Sequence, residues 1–284
     1  MLSFPNCKIN LGLKITGKRQ DGYHNIETVF YPVQLNDALE IIHSTAQGHP
    51  PEVLFSHSGA VIPGEEKDNL CIKAYHLLKK DFPQLPSVKI HLHKAIPMGA
   101  GLGGGSADAA FTLVTLNRKY ELNLSTDQLL SYALELGSDC PFFIINEPCL
   151  ATGRGEILHS IKVVLSGYRL ILVNPGIHIN TSWAFSQLKP VTGQLSGSVG
   201  TPELIQTIIF KPITYWKEGL INEFETPVCE KYPEIRKIKE NLYENGALYA
   251  SLSGSGSSVY GIFENNSQSS FDFPENYLVK SIIL

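Results

Sequence analysis

The sequence predicts a mixed α+β protein built as two domains. Three observations carry that expectation. Strand-like and helix-like stretches are interspersed along the chain. A run of glycines stands directly between an alternating strand and an amphipathic helix. The length, 284 residues, suits one large domain or two modest ones. The boundary is expected near residues 150 to 165, which gives domains 1–157 and 158–284. Hydrophobic residues make up 43% and charged residues 18%, a balance that builds a core without staples and excludes a disordered chain. The formal charge of -4 offers no global attraction for nucleic acid or an anionic membrane surface, so neither is expected as a partner.

The elements follow in order. "CKINLGLKI" (7–15) has the mixed apolar and polar pattern of a strand. "DGYHNIETVFYPVQL" (21–35) begins with a turn at Asp21-Gly22 and continues as a β-rich run. In "VKIHLHK" (88–94), Val88, Ile90 and Leu92 alternate with Lys89, His91 and His93, the signature of a half-buried strand. Past the glycines, Ala107, Ala110, Phe111 and Val114 recur at helical spacing. Ser106 is placed to cap that helix, with Asp108 in its first turn. "STDQLLSYALELG" (125–137) reads as a helix with a capping box at Ser125 and Gln128, an apolar face of Leu130, Ala133 and Leu134, and a stop at Gly137. "YRLILVNPG" (168–176) is a strand and turn, and "TSWAFSQL" (181–188) starts a helix. Residues 189–202, rich in Gly, Ser, Thr and Pro, form a loop. "PEIRKIKENLYENG" (233–246) is a helix with a glycine stop. "ALYASLSGSGSSVYGIF" (247–263) runs strand, small-residue turn, strand. "ENNSQSS" is a polar loop, and "YLVKSIIL" a last strand.

The cysteines, Cys7, Cys71, Cys140, Cys149 and Cys229, are odd in number and scattered, and no CxxC occurs. That pattern fits reduced core or surface thiols better than a disulfide framework or a zinc site. The N-terminal stretch carries polar residues early and no long apolar core, so no signal peptide is expected, and no window approaches a membrane span. The expected location is the cytoplasm. His91 and His93 share a strand face without a carboxylate or Cys cluster, which fits a polar face better than a metal site.

The segment with chemistry in it is "HKAIPMGAGLGGGSADAAF" (93–111). Backbone N–H groups converge on an anion only where side chains stay away, and glycine reaches positive φ at no steric cost. A helix following directly adds its unpaired N–H groups and its positive end. Strand, glycine loop and helix together make a phosphate cradle; a linker would not be bracketed by "KAIP" and a patterned helix. A P-loop would need GxxxxGK followed by Ser or Thr, and no such Lys is present. A dinucleotide GxGxxG lies on Gly99, Gly101 and Gly104, but the acidic residue near the required distance, Glu121, sits in a helix end and loop rather than at a second strand tip.

"PMGAGLGGGSADAA" resembles the phosphate-binding motif of the GHMP kinases. "CKINLGLKI" resembles their N-terminal motif, and "SLSGSGSSVYGIF" their C-terminal glycine motif, in the family's order. The likeness narrows through "KINLGLKITGKRQDGYHNIETVFYPV", "GSDCPFF", "ATGRGE" and "NPGIHINTSWAF". These are similar to the branch that uses ATP to phosphorylate the 2-hydroxyl of a CDP-linked methylerythritol, in the non-mevalonate route to isoprenoid precursors. The resemblance implies an N-terminal ribosomal-protein-like α/β domain and a C-terminal ferredoxin-like domain, with the active site in the cleft between them.

It also implies roles. Asp139, by its residue context alone an ordinary turn aspartate, matches the family's catalytic aspartate. Lys8, otherwise a strand lysine, becomes its partner at the substrate hydroxyl. Asn10, on the same strand face as Lys8, matches a substrate contact, as do Tyr23 and His24 at the cytidine. Thr181 and Phe185 match a second wall, with Phe185 stacking opposite Tyr23. ATP is implied at Asn69, Leu70, Lys94 and the run Pro97, Met98, Gly99, Ala100, Gly101, Leu102, Gly103, Gly104, Gly105, Ser106 and Ala107, with Ser106 also reaching Mg²⁺. Asp108 adds a carboxylate near the phosphates where the family often has none. The expected substrate is a small molecule, and the expected state a monomer or weak homodimer. The rival readings are a GHMP kinase for mevalonate or homoserine, disfavoured because "DGYH" suits a nucleobase that those substrates lack, and a nucleotide-binding module without turnover, disfavoured by Lys8 with Asp139.

Overall fold

The computed structural model describes residues 1–45, 51–188, 204–267 and 270–284. The expected loop at 189–202 and part of "ENNSQSS" lie outside the described residues. In chain order the strands and helices begin with β1 (Leu2–Ser3), β2 (Asn6–Lys18), β3 (His24–Asn36), β4 (Ala38–His43), β5 (Val53–Gly59), α1 (Leu70–Asp81), β6 (Val88–Lys94), α2 (Gly104–Lys119), α3 (Thr126–Leu136) and α4 (Cys140–Ile145). They continue with β7 (Cys149–Thr152), β8 (Ile157–Ser160), β9 (Tyr168–Asn174), α5 (Thr181–Ser186), α6 (Ile205–Ile208), α7 (Trp216–Gly219), α8 (Glu225–Lys231), α9 (Pro233–Glu244), β10 (Tyr249–Leu252), β11 (Val259–Glu264) and β12 (Leu278–Ile283).

By contact density the chain forms two compact units that interleave in sequence. The first comprises Met1–Lys8, Gln34–Met98 and Gly103–Glu147. Its sheet has the order β1-β4-β6-β5, with β5 parallel to β6 and the other pairs antiparallel. β6 alternates as its sequence predicts: Val88, Ile90 and Leu92 are buried, Lys89 and His93 exposed. The buried side chains of β4 and β6 form one core cluster with Tyr75 and Leu78 of α1 and Ala109, Leu113 and Leu116 of α2. On the other face, Ser56 and Ser58 of β5 hydrogen-bond His91 and His93, the expected polar surface. Among the described residues no group of three His, Cys, Asp or Glu side chains is arranged to hold a metal.

Two helices differ from their sequence reading. α2 starts at Gly104, so Ser106 lies inside the first turn instead of capping it, and Asp108 lies in the second turn. The reason is Gly103, which occupies the cap position at φ +70, a left-handed conformation that glycine adopts freely. Ala107 and Ala110 are buried as expected, whereas Phe111 and Val114 are only half-buried. α3 has its Ser125–Gln128 capping box and ends before Gly137. Its inward face is Leu129 and Ala133; Leu134 is 40% exposed. Leu130 and Leu134 each sit one residue past this pair, about 100° round the helix.

The second unit comprises Ile9–Val33, Gly99–Leu102 and Pro148–Leu284. It holds a sheet ordered β10-β11-β9-β12 and most of another ordered β2-β3-β7-β8. β9 runs antiparallel to both its neighbours, β11 and β12, and its run "LILV" is buried on both faces, which a continuous apolar run suits. Ile235, Ile238 and Leu242 of α9, spaced three and four apart, join Ile171, Val173 and Val259 of this sheet in one core. Pro233 opens α9, where its missing N–H costs nothing.

Among the described residues no cysteine forms a disulfide. Four are buried, and burial pushes the thiols of Cys7 and Cys140 up to about 12, as befits inert core residues.

Candidate active site

In the first unit, Lys8 Nζ lies 3.5 Å from Asp139 Oδ2. The two side chains differ in access: Lys8 is 5% exposed and Asp139 34%. Asp139 stands at the N-cap of the short α4, just after the turn that ends α3, with Pro141 behind it. The lysine therefore supplies charge from the interior while the carboxylate faces outward. Gly103 packs against this pair. A Cβ there would stand 3.2 Å from Lys8 Cγ and 2.9 Å from the Phe143 ring, so a side chain at Gly103 would displace the lysine.

Because Gly103 turns the chain into α2, the N–H groups of Gly104, Gly105 and Ser106 precede the first helical bond, Ala107 N–H to Gly103 O. They are donors at the positive end of a 16-residue helix. The Ser106 hydroxyl lies within hydrogen-bond reach of the Cys140 thiol. Nearby, a cleft of about 250 Å³ is lined by Phe55, His57, Asn69, Leu70, Met98 and Gly105, among others. Four of the residues expected at ATP thus share one wall system. Asn69 also caps α1, accepting from the Cys71 N–H at 2.9 Å.

Lys94 sits differently from its neighbours in that expectation. Its side chain is wholly buried and forms ion pairs with Asp37 and Asp108, the latter at 2.7 Å. Burial alone would favour the neutral amine, but the two carboxylates raise its pKa and hold it charged. Asp108 is buried as well, and burial, reinforced by Asp37, raises its carboxyl despite the lysine. The side chain of Lys94 is therefore committed to this cluster, and its carbonyl oxygen accepts the Ala60 N–H at 2.8 Å. The carboxylate that the sequence placed near the phosphates is turned inward.

In the second unit the "SGSGSS" turn packs on the glycine run. Gly101 has φ +79, and a Cβ on it would lie 1.9 Å from the Ser253 carbonyl oxygen. Ser253 Oγ donates to Gly101 O at 2.8 Å, and Ser258 N–H to Ala100 O at 3.1 Å. Ser253 Oγ also accepts the Asn10 N–H at 3.3 Å. The turn and the glycine run hold each other, which a plain hairpin turn does not require. Asn10 is buried; its Nδ2 donates to Thr28 Oγ1 at 3.0 Å, and its carbonyl accepts from the Tyr260 hydroxyl. Thr181 Oγ1 and Ser255 Oγ are 3.1 Å apart.

The aromatic wall brings Phe185 to His24. The two rings stack, with centroids 4.7 Å apart and planes 12° from parallel. Phe185 is held from its edge by Phe224. Tyr23 is 56% exposed, and the Arg154 guanidinium lies 5.0 Å from its ring centre. The two aromatics on consecutive positions take different partners because successive side chains alternate between faces of an extended chain.

Two regions match models of known domains: residues 69–147 match the GHMP kinases N terminal domain, and residues 217–271 the GHMP kinases C terminal. A protein of Bacteroides thetaiotaomicron called 4-diphosphocytidyl-2-C-methyl-D-erythritol kinase is 51% identical over 264 residues, 93% of this chain and 92% of its own. One of Cytophaga hutchinsonii with the same name is 48% identical over 277 residues, 97% of this chain and 96% of its own. The chain belongs to the GHMP kinases. A crystal structure of 4-(cytidine 5'-diphospho)-2C-methyl-D-erythritol kinase superposes on this GHMP kinase with a TM-score of 0.76 at 28% identity, covering 92% of this chain and 90% of that one.

Two residues beside the candidate site escaped the sequence reading. Asp37 is a lone aspartate between two strands, and its link to Lys94 spans 57 residues, so no local spacing announces it. Arg154 stood in the quoted "ATGRGE", and its flanking glycines, Gly153 at φ +68 and Gly155 at φ +109, were the available signal of a tight turn presenting it.

Proposed function

We propose that this GHMP kinase transfers the γ-phosphoryl group of ATP to the 2-hydroxyl of 4-diphosphocytidyl-2-C-methyl-D-erythritol, a step of isoprenoid precursor synthesis. The choice of substrate rests on relatives of that name matching along more than nine-tenths of the chain. The chemistry rests on one observation: an ammonium and an accessible carboxylate 3.5 Å apart, packed against the glycine that opens α2. Phosphoryl transfer asks chiefly for positioning and charge compensation. The amides of the glycine run receive the ATP phosphates. Asp139 orients the acceptor hydroxyl and takes its proton, and Lys8 holds both in place. Asn10, Tyr23, His24, Thr181 and Phe185 bind the CDP-linked alcohol, and Asn69, Leu70 and Met98 the adenosine part of ATP.

Mg²⁺ bound to ATP phosphates keeps most of its waters and needs few protein ligands. The single hydroxyl of Ser106 at the start of α2, with no carboxylate cage among the described residues, fits that demand. When bound, the ion neutralises charge on the phosphates. We place the enzyme in the cytoplasm, in keeping with five scattered cysteines that form no disulfide among the described residues. Among the described residues no helix is long and apolar enough to cross a membrane.

ADP release measured with a panel of alcohols tests the reading. Release with the CDP-linked alcohol alone is expected. Release with mevalonate or homoserine instead would favour another member of the family, and ATP binding without release a module that does not turn over. Removing the ring that covers His24 gives a finer prediction. Phe185→Ala should raise KM for the CDP-linked alcohol by roughly 3- to 10-fold, the worth of one aromatic pair, with KM for ATP unchanged. Steady-state kinetics with each substrate varied in turn check it.

A further inference from the structure

We infer that the buried cluster of Asp37, Lys94 and Asp108 is a positioning device that sets the shape of the glycine loop for ATP, and that the Lys94 side chain acts through it without touching the nucleotide. The inference rests on the reading that the loop holds ATP. Asp37 Oδ1 accepts the N–H groups of Ala95 at 2.6 Å and Ile96 at 2.9 Å, the residues by which the chain enters the loop. Asp37 Oδ2 pairs with Lys94 Nζ, and Lys94 Nζ donates at 2.7 Å to Asp108 Oδ2, on the helix by which the chain leaves it. Entry and exit are thus tied through three side chains. The tie runs directly beneath the cradle: a Cβ on Gly104 would lie 3.3 Å from Lys94 Nζ and 2.9 Å from Ile96 Cγ2.

Stability alone does not account for such a cluster. Two carboxylates share one ammonium, and Asp108 Oδ1 is buried without a hydrogen-bond partner. Buried ion clusters of this kind are often replaced by apolar residues at no loss of stability. What an apolar filling cannot do is accept two amides at a defined angle and fix the loop's first turn. Lys8 and Asp139 lie outside the cluster, so the chemistry is untouched by changes within it.

Asp108→Leu tests the idea. It cuts the tie to α2 and leaves a neutral Asp37–Lys94 pair, so the fold survives. Calorimetry with a non-hydrolysable ATP analogue should show Kd raised about tenfold, while Kd for the CDP-linked alcohol stays within about twofold. Asp108→Asn, which keeps an acceptor for Lys94, should recover most of the loss. An unchanged analogue Kd in Asp108→Leu, or equal changes for both ligands, overturns the inference. Hydrogen exchange on the unaltered, ligand-free protein needs no variant: the amides of Ala95 and Ile96 should exchange as slowly as core strand amides, and exchange at loop rates sinks the tie. A wild-type chain that binds no ATP analogue would refute the nucleotide reading, with amide protection still deciding the tie.

Discussion

Asp139→Asn should lower kcat by about 10²–10⁴-fold, the range a positioned proton acceptor contributes. The substitution keeps the shape of the side chain at the α4 N-cap and removes its charge. Lys8 then faces a neutral amide at a distance, 3.5 Å in the native pair, that is already long for a strong bond. The acceptor hydroxyl loses both its proton acceptor and its orienting partner. Affinity for an ATP analogue should stay within about twofold, because the amides of Gly104, Gly105 and Ser106 are backbone groups that the change does not reach. Single-turnover kinetics and calorimetry on the same preparation separate the two effects. A variant with native kcat would remove Asp139 from the mechanism.

Gly101→Ala should cost about 2 kcal/mol of stability or more and sharply weaken ATP binding. Two terms add. An alanine at φ +79 carries the strain of a left-handed non-glycine residue, of order 1 kcal/mol. Its Cβ would also stand 1.9 Å from the Ser253 carbonyl, a main-chain atom that cannot rotate away. Either the glycine run or the "SGSGSS" turn must move, and the Ser253–Gly101 hydrogen bond goes with it. Gly22→Ala is the control. Gly22 has φ +86 but nothing within 4 Å of its would-be Cβ, so it carries the strain without the clash. Urea denaturation should show Gly101→Ala clearly the more costly of the two. Equal losses would mean that the loop and the turn are not mutually held.

Local pattern carried most of the fold. Alternation exposed β6, the serine and glutamine at 125 and 128 announced α3, and the glycine at 246 marked the end of α9. The misses have two causes, a local backbone turn and contacts that lie far away in sequence. Ser106 is a better cap by composition than Gly103, yet the chain needs a left-handed residue to swing from the loop into α2, and only then does the helix start. Lys94 reads as a strand-end residue at the nucleotide until Asp37 and Asp108 enclose its side chain. Of the candidate site, the Lys8–Asp139 approach and the shared cleft of Asn69, Leu70, Met98 and Gly105 emerged from motif likeness, because each motif residue sits at a fixed place on its own element. The aromatic pairing did not. Which ring faces Phe185 depends on how α5 and β3 pack, and motif order is silent on that.

A crystal structure with a non-hydrolysable ATP analogue and the CDP-linked alcohol both bound is the most direct measurement. It should show the β- and γ-phosphates on the amides of the glycine run and the acceptor oxygen within hydrogen-bond distance of Asp139 and Lys8. Phosphates lodged away from Gly101–Ser106, or an acceptor oxygen out of reach of both side chains, would contradict the account.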